Sequence, residues 1–151
     1  MITNLQGTFL SNFYECRLEY LGKTYRNAES AYQANKSGDP IVRNRFTNLT
    51  GREAKALGRR VVMRQDWDKI KLRVMKDIVT TKFRNPELAM LLWHTGEQEI
   101  IEGNSWNDTY WGVSNGKGSN HLGIILMEVR KELFEVQPAE QSASRFHRKG
   151  E

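Results

Sequence analysis

The amino-acid sequence predicts an α+β fold, a compact, predominantly helical single domain with a small β-hairpin near its N-terminus. Three observations lead there. A chain of 151 residues is long enough for one domain to bury a continuous core without metal or disulfide staples. Apolar residues recur at helical spacing through the middle of the chain, most clearly from Asp66 to Phe83. Ahead of them, Phe13 to Arg26 alternates and turns at Leu21-Gly22, a hairpin pattern.

The elements follow in order. Asn27 is placed to cap a helix running to about Ser37, where Gly38 ends it. Asp39-Pro40 opens a second helix, with Pro at its first position. Thr50-Gly51-Arg52-Glu53 fits a capping box and starts a third, short helix through Ala54, Ala56 and Leu57. From Asp66 to Phe83, Trp67, Ile70, Val74 and Ile78 form one stripe, with Leu72, Met75, Val79 and Phe83 beside it. The two together predict a largely buried helix whose polar face carries Lys69, Arg73, Lys76 and Thr80. Asn85-Pro86 caps another helix bearing Leu88, Leu91 and Leu92. Beyond Gly96, Glu99 to Glu102 reads as a short strand, followed by a polar loop rich in glycine and aromatics. Ser119 or Asn120 can cap a last helix with Leu122, Ile125, Leu126, Val129 and Leu133 on one face. The folded domain is expected over 1–136 and a disordered tail over 137–151, where apolar residues are few.

Composition excludes several classes. The longest apolar runs are too short to span a bilayer, and MITNLQGTFLSNFYE lacks the basic and apolar regions of a signal peptide. No membrane partner and a cytoplasmic location are therefore expected. Cys16 is the one cysteine, which rules out an intramolecular disulfide and fits a reducing compartment. In a strand it reads as an inert buried thiol. His94, His121 and His147 are widely separated and show no metal-ligand spacing, so neither a metal nor a cofactor is expected. The net charge is +5, and much of the basic content falls between Arg43 and Arg84, including Lys55, Arg59, Lys71 and Lys82. Such a stretch either solvates a helix surface, holds a phosphate, or follows a nucleic-acid backbone.

Two segments carry candidate chemistry. In NAESAYQANK, Glu29, Tyr32, Gln33 and Lys36 follow i, i+3, i+4, i+7 and share one helical face, opposite Ala28, Ala31 and Ala34. That stripe lines a polar pocket or is simply a solvated face. In WNDTYWG, Trp106, Tyr110 and Trp111 interleave with Asp108. Aromatic planes can sandwich a flat heterocycle while the carboxylate acts on an adjoining sugar bond; alternatively they pin the loop over the core. The glycine-rich stretch 115–120, just before a helix N-terminus, is where backbone can approach a phosphate, although it fits neither a Walker loop nor a dinucleotide fingerprint.

The stretches FLSNFYECRLEYLGKTYRNAESAYQANK, WDKIKLRVMKDIVTTKF with the NPEL and TG that follow, and WNDTYWGVSNGKGSNHLGIILMEVR resemble the NADAR (YbiA-like) family in order and spacing, from about Gly7 to Leu133. The family typically has His or a similar residue where Ser30 stands, and often Gly at Ser114; neither change removes an obvious catalytic group. The resemblance implies a mostly helical fold with a small β component. It also implies cleavage of a C–N bond between a phosphorylated ribose and a base or amine. Family substrates are ribosylaminopyrimidine phosphates, which are early riboflavin-pathway intermediates, and ADP-ribose attached to guanine.

The expected activity is thus an N-glycosidase acting on ribosylaminopyrimidine phosphates. The alternative is an ADP-ribosyl-guanine glycohydrolase reversing nucleic-acid ADP-ribosylation, whose partner is ADP-ribosylated nucleic acid. From another class, a non-catalytic single-stranded nucleic-acid-binding module would use the same basic and aromatic residues. Breaking an N-glycosidic bond builds oxocarbenium-like charge, which a carboxylate stabilises while a second acid or base serves water or the leaving group. Glu29 and Asp108 are the candidates. Lys36 offers a covalent route through a Schiff base on ribose C1, so water and Lys36 both stand as nucleophile. Tyr32, Trp106 and Trp111 would shape the base pocket, Asn12 and Phe13 would close its other side, and Asn120 completes the substrate-binding set. The basic residues would hold phosphate, without ranking. Sequence alone leaves the oligomeric state open.

Overall fold

Local hydrogen bonds start nearly every element of this computed structural model, which describes the backbone over residues 1–148 and the side chains to Glu135. Strands β1 (Leu18–Tyr20) and β2 (Lys23–Tyr25) pair antiparallel, Leu18 opposite Tyr25. Between them Leu21 and Gly22 both take positive φ, 48° and 82°, as a two-residue turn matching strand twist requires. Helix α1 (Ala28–Ala34) is capped by Asn27, whose side chain accepts from the Ser30 N–H. Asp39 caps α2 (Pro40–Asn44), and Thr50 with Glu53 closes a complete capping box on α3 (Gly51–Gly58). Helix α4 (Trp67–Lys82) has no side-chain cap. Asn85 caps α5 (Pro86–His94) by accepting from Glu87 and Leu88. Two residues each make β3 (Gly103–Asn104) and β4 (Val113–Ser114), and α6 runs His121–Arg148.

Helix α4 is the hub. Met75, Ile78 and Val79 are essentially inaccessible, and α1, α6 and β1 pack around it. The alanine face of α1 (Ala28, Ala31, Ala34) is fully buried, so small side chains let its backbone close onto α3 and α4. Leu122, Ile125, Leu126 and Val129 of α6 join the same core, with Leu133 at its edge.

Several expectations are corrected. Glu99 to Glu102 is not a strand: Ile100 only bridges Ile2, and the pairing begins at Gly103, parallel to β4, inside the expected loop. Gly103 permits this, because any Cβ there would collide with the Thr3 carbonyl. Helix α4 is less enclosed than its two stripes suggest, since Leu72 is exposed and Ile70 half-buried. Lys82, counted with the basic surface, is 2% exposed, and its Nζ donates to the Ser11 carbonyl at 2.9 Å. Cys16 is only half-buried. Neither Ser119 nor Asn120 caps α6 with its side chain: the first N–H groups of that helix are taken by the Tyr110 and Trp111 carbonyls. The expected tail, 137–151, with His147, falls where side chains, and from residue 149 the backbone also, lie outside the described residues. No described helix is long and apolar enough to cross a membrane.

Candidate active site

A cavity of about 290 Å³ opens between α1, α3 and the aromatic loop, and every candidate residue except Asn120 lines it. The local fold explains why. The Glu29 N–H donates to the Asn12 carbonyl at 2.9 Å, which fastens the LSNF segment to the first turn of α1. Asn12 and Phe13 thereby face the polar stripe. Gly51 lies against the Phe13 ring so closely that a Cβ would sit 2.6 Å from it, which holds the ring at the cavity edge.

On α1, Glu29 is 9% exposed and its Oε1 accepts from the Gln33 amide at 2.8 Å. Burial raises its pKa above the usual carboxylate range; the Gln33 bond and the charges of Lys55 and Lys36 oppose this, and Asp108 reinforces it. Tyr32 is wedged between Trp67 and Trp111, with ring centroids 5.1 and 5.4 Å away, and burial pushes its phenol pKa up. Lys36 follows the last turn, its Nζ 6.0 Å from the Tyr32 centroid. Burial lowers its pKa; Glu29 resists, while Arg59, Lys55 and Lys71 add to the lowering.

The opposite wall is the aromatic loop. Asp108 Oδ1 accepts from the backbone N–H groups of Tyr110 (3.2 Å) and Trp111 (2.9 Å). Asn104 clasps its backbone through both amide atoms, and Asn107 takes a left-handed φ of 67° before it. Trp111 packs edge-on to Tyr32, and Trp106 stays half-exposed at the rim under the Lys55 ammonium, 5.5 Å from its centroid.

Asn120 does something else. Its Oδ1 accepts from the Glu102 N–H (2.9 Å) and its Nδ2 donates to the Ile100 carbonyl (3.0 Å), so both ends of its amide are committed to the 100–102 segment. The glycine-rich stretch is likewise not a phosphate cradle: the N–H groups of Ser119, Asn120, His121 and Leu122 are bonded to carbonyls of residues 109–112. Asn120→Ala strands two backbone groups and is expected to cost about 1–3 kcal/mol, a fall in Tm of roughly 2–4 °C per kcal/mol, with little change in KM. Thermal denaturation beside kinetics checks this; a raised KM at unchanged Tm would return Asn120 to substrate contact.

Sequence reasoning missed Glu102 and left Lys55 unranked, yet both line the cavity. Burial raises the Glu102 carboxyl to about 7, with Asp108 and Glu29 pushing the same way and Lys55 opposing. The available signal was its position six residues before Asp108, masked by the apparent strand. Among the described residues no three His, Cys, Asp or Glu side chains are grouped to hold a metal ion. The cavity offers a substrate three carboxylates, two lysines and aromatic walls.

Comparison with known proteins gives this arrangement a lineage. The NADAR domain model matches residues 3–134, and the chain belongs to that family. It is 35% identical over 128 residues to N-glycosidase YbiA of Shigella sonnei, covering 82% of this chain and 79% of that protein. It is 38% identical over 135 residues to a riboflavin biosynthesis protein of Vibrio vulnificus, covering 86% of this chain but only 36% of the relative's length. The NMR structure of Escherichia coli YbiA superposes with a TM-score of 0.79 at 32% identity, over 90% of this chain and 86% of that one. The α+β architecture is that of YbiA.

Proposed function

We propose that this N-glycosidase cleaves the C–N bond between a phosphorylated ribose and a base, with ribosylaminopyrimidine phosphates as its substrate class. The observation that carries the reading is the convergence of Glu29 and Asp108 with the depressed amine of Lys36 on one aromatic-walled cavity. The carboxylates suit an oxocarbenium-like transition state. A lysine whose pKa is lowered by burial suits attack on an opened ribose C1. Tyr32 and Trp111 form the wall for a flat base, and Lys55, the second lysine lining the cavity, would hold phosphate. The size, about 290 Å³, is at the small end of ligand cavities and accords with a substrate the size of a mononucleotide. The names of the relatives agree with both the reaction and the pathway.

The test is a product assay offering a ribosylaminopyrimidine phosphate and an ADP-ribosylated guanine oligonucleotide in parallel. Release of base from the first alone is the expected result; release from the second alone reassigns the substrate. Borohydride is expected to trap a substrate adduct in wild type and not in Lys36→Ala. Turnover without trapping would make water the nucleophile. Turnover of neither, with salt-sensitive binding of single strands, would replace the enzyme by a binding module.

A further inference from the structure

We infer that Glu102, which neither the sequence motifs nor the kinship assigns, is the proton donor to the departing base; this rests on the N-glycosidase reading above. Glu29, Glu102 and Asp108 line one cavity, and like charges so placed do not all ionise together. Burial favours the protonated form of both Glu29 and Glu102, so what separates them is which carboxyl is left free to pass its proton on. Asp108 has two backbone N–H groups on one oxygen. Glu29 has the Gln33 amide. The Glu102 carboxyl makes no hydrogen bond or ion pair among the described residues, and Lys55 is the one cation that acts on it, against Asp108 and Glu29. It is therefore the acid whose proton no protein group competes for, and the one free to give it to the substrate.

Its position is fixed by backbone. The Glu102 N–H donates to Asn120 Oδ1, its carbonyl accepts from the Val113 N–H at 2.8 Å, and Gly112 presses against its chain. Glu102 is thus rigid with the segment that carries Trp106 and Trp111, the base side of the cavity, whereas Glu29 stands on α1 and Lys36 just beyond its end. As the C1–N bond breaks, its electron pair stays on the base nitrogen and the Glu102 proton goes to that nitrogen. Formation of the C1 hydroxyl consumes one water, whose second proton returns to the Glu102 carboxylate. The same transfer serves attack by water or by Lys36, and no redox partner is needed.

A leaving group that needs no proton separates this role from a structural one. A pyridinium riboside 5′-phosphate releases a neutral pyridine, whereas a ribosylaminopyrimidine phosphate releases an amine that must be protonated. Glu102→Gln is expected to lower kcat on the aminopyrimidine by about 10²–10⁴-fold and on the pyridinium by only a few-fold. Wild-type kcat on the aminopyrimidine should fall as pH rises through about 7, because the acid form is lost, and Glu102→Gln should lose that limb. Should the variant fold poorly, the wild-type profiles on the two substrates decide: the alkaline limb is present with the first and absent with the second. Equal losses on both substrates, or an alkaline limb that survives in Glu102→Gln or appears in wild type with the pyridinium, would overturn the proposal. Wild type that cleaves neither substrate would overturn the N-glycosidase reading itself.

Discussion

Glu29→Gln is expected to lower kcat by about 10²–10⁴-fold while making the protein more stable than wild type at alkaline pH. The first effect follows from its place: a carboxylate 9% exposed, aimed into the cavity and steadied by Gln33. Glutamine keeps the shape and the acceptor oxygen but can never ionise, so it cannot become the carboxylate that a developing oxocarbenium ion needs. The second effect is linkage. Burial raises the folded-state pKa of Glu29 above its unfolded value, so its contribution is fully present below the unfolded pKa, about 4.3. That contribution is lost as pH rises through the folded value, where ionisation penalises the native state. Glutamine never ionises. The Tm of the variant minus that of wild type should therefore grow as pH rises from about 4.3 towards alkaline values. A gap that shrinks over that interval would mean that Glu29 is ionised and paired in the folded protein. Unchanged kcat would remove it from the reaction.

Gly112→Ala should be severely damaging to the aromatic loop. The reason is steric, because a Cβ on Gly112 would collide with the Glu102 carbonyl and come within 2.8 Å of the Asn104 amide. Both are backbone-supported: the Glu102 carbonyl accepts from Val113, and the Asn104 amide clasps Asp108. The methyl group can fit only by parting β3 from β4, which moves Glu102 and Asp108 together. A cost of about 1–3 kcal/mol or more is expected from overpacking, with loss of turnover even well below Tm. Gly116→Ala is the control. Its φ of +75° makes alanine strained, but nothing lies within 4 Å of the added Cβ. It should cost about 1–2 kcal/mol and leave kcat intact. Equal behaviour of the two variants, in denaturation and in kinetics, would show that the close packing under Glu102 does not matter to the site.

Much of this molecule was legible in the chain because it depends on bonds between near neighbours. The turn at Leu21-Gly22 needs two positive φ values, and Asn27, Asp39, Thr50 and Asn85 each cap a helix by reaching two or three residues ahead. The stripe of Glu29, Tyr32, Gln33 and Lys36 follows from helical pitch, and all four do line one cavity. Only the tertiary structure decided the rest. Lys82 is buried because it meets a carbonyl 71 residues away, and Asn120 leaves the binding set because its amide is spent on Ile100 and Glu102, 20 and 18 residues back. Glu102 looked like one residue of a strand; it became an unsupported acid only when Glu29, Asp108 and Lys55 closed around it. Spacing along a chain determines which face a side chain takes. Desolvation and the charges across a cavity determine its chemistry, and those are supplied by residues distant in sequence.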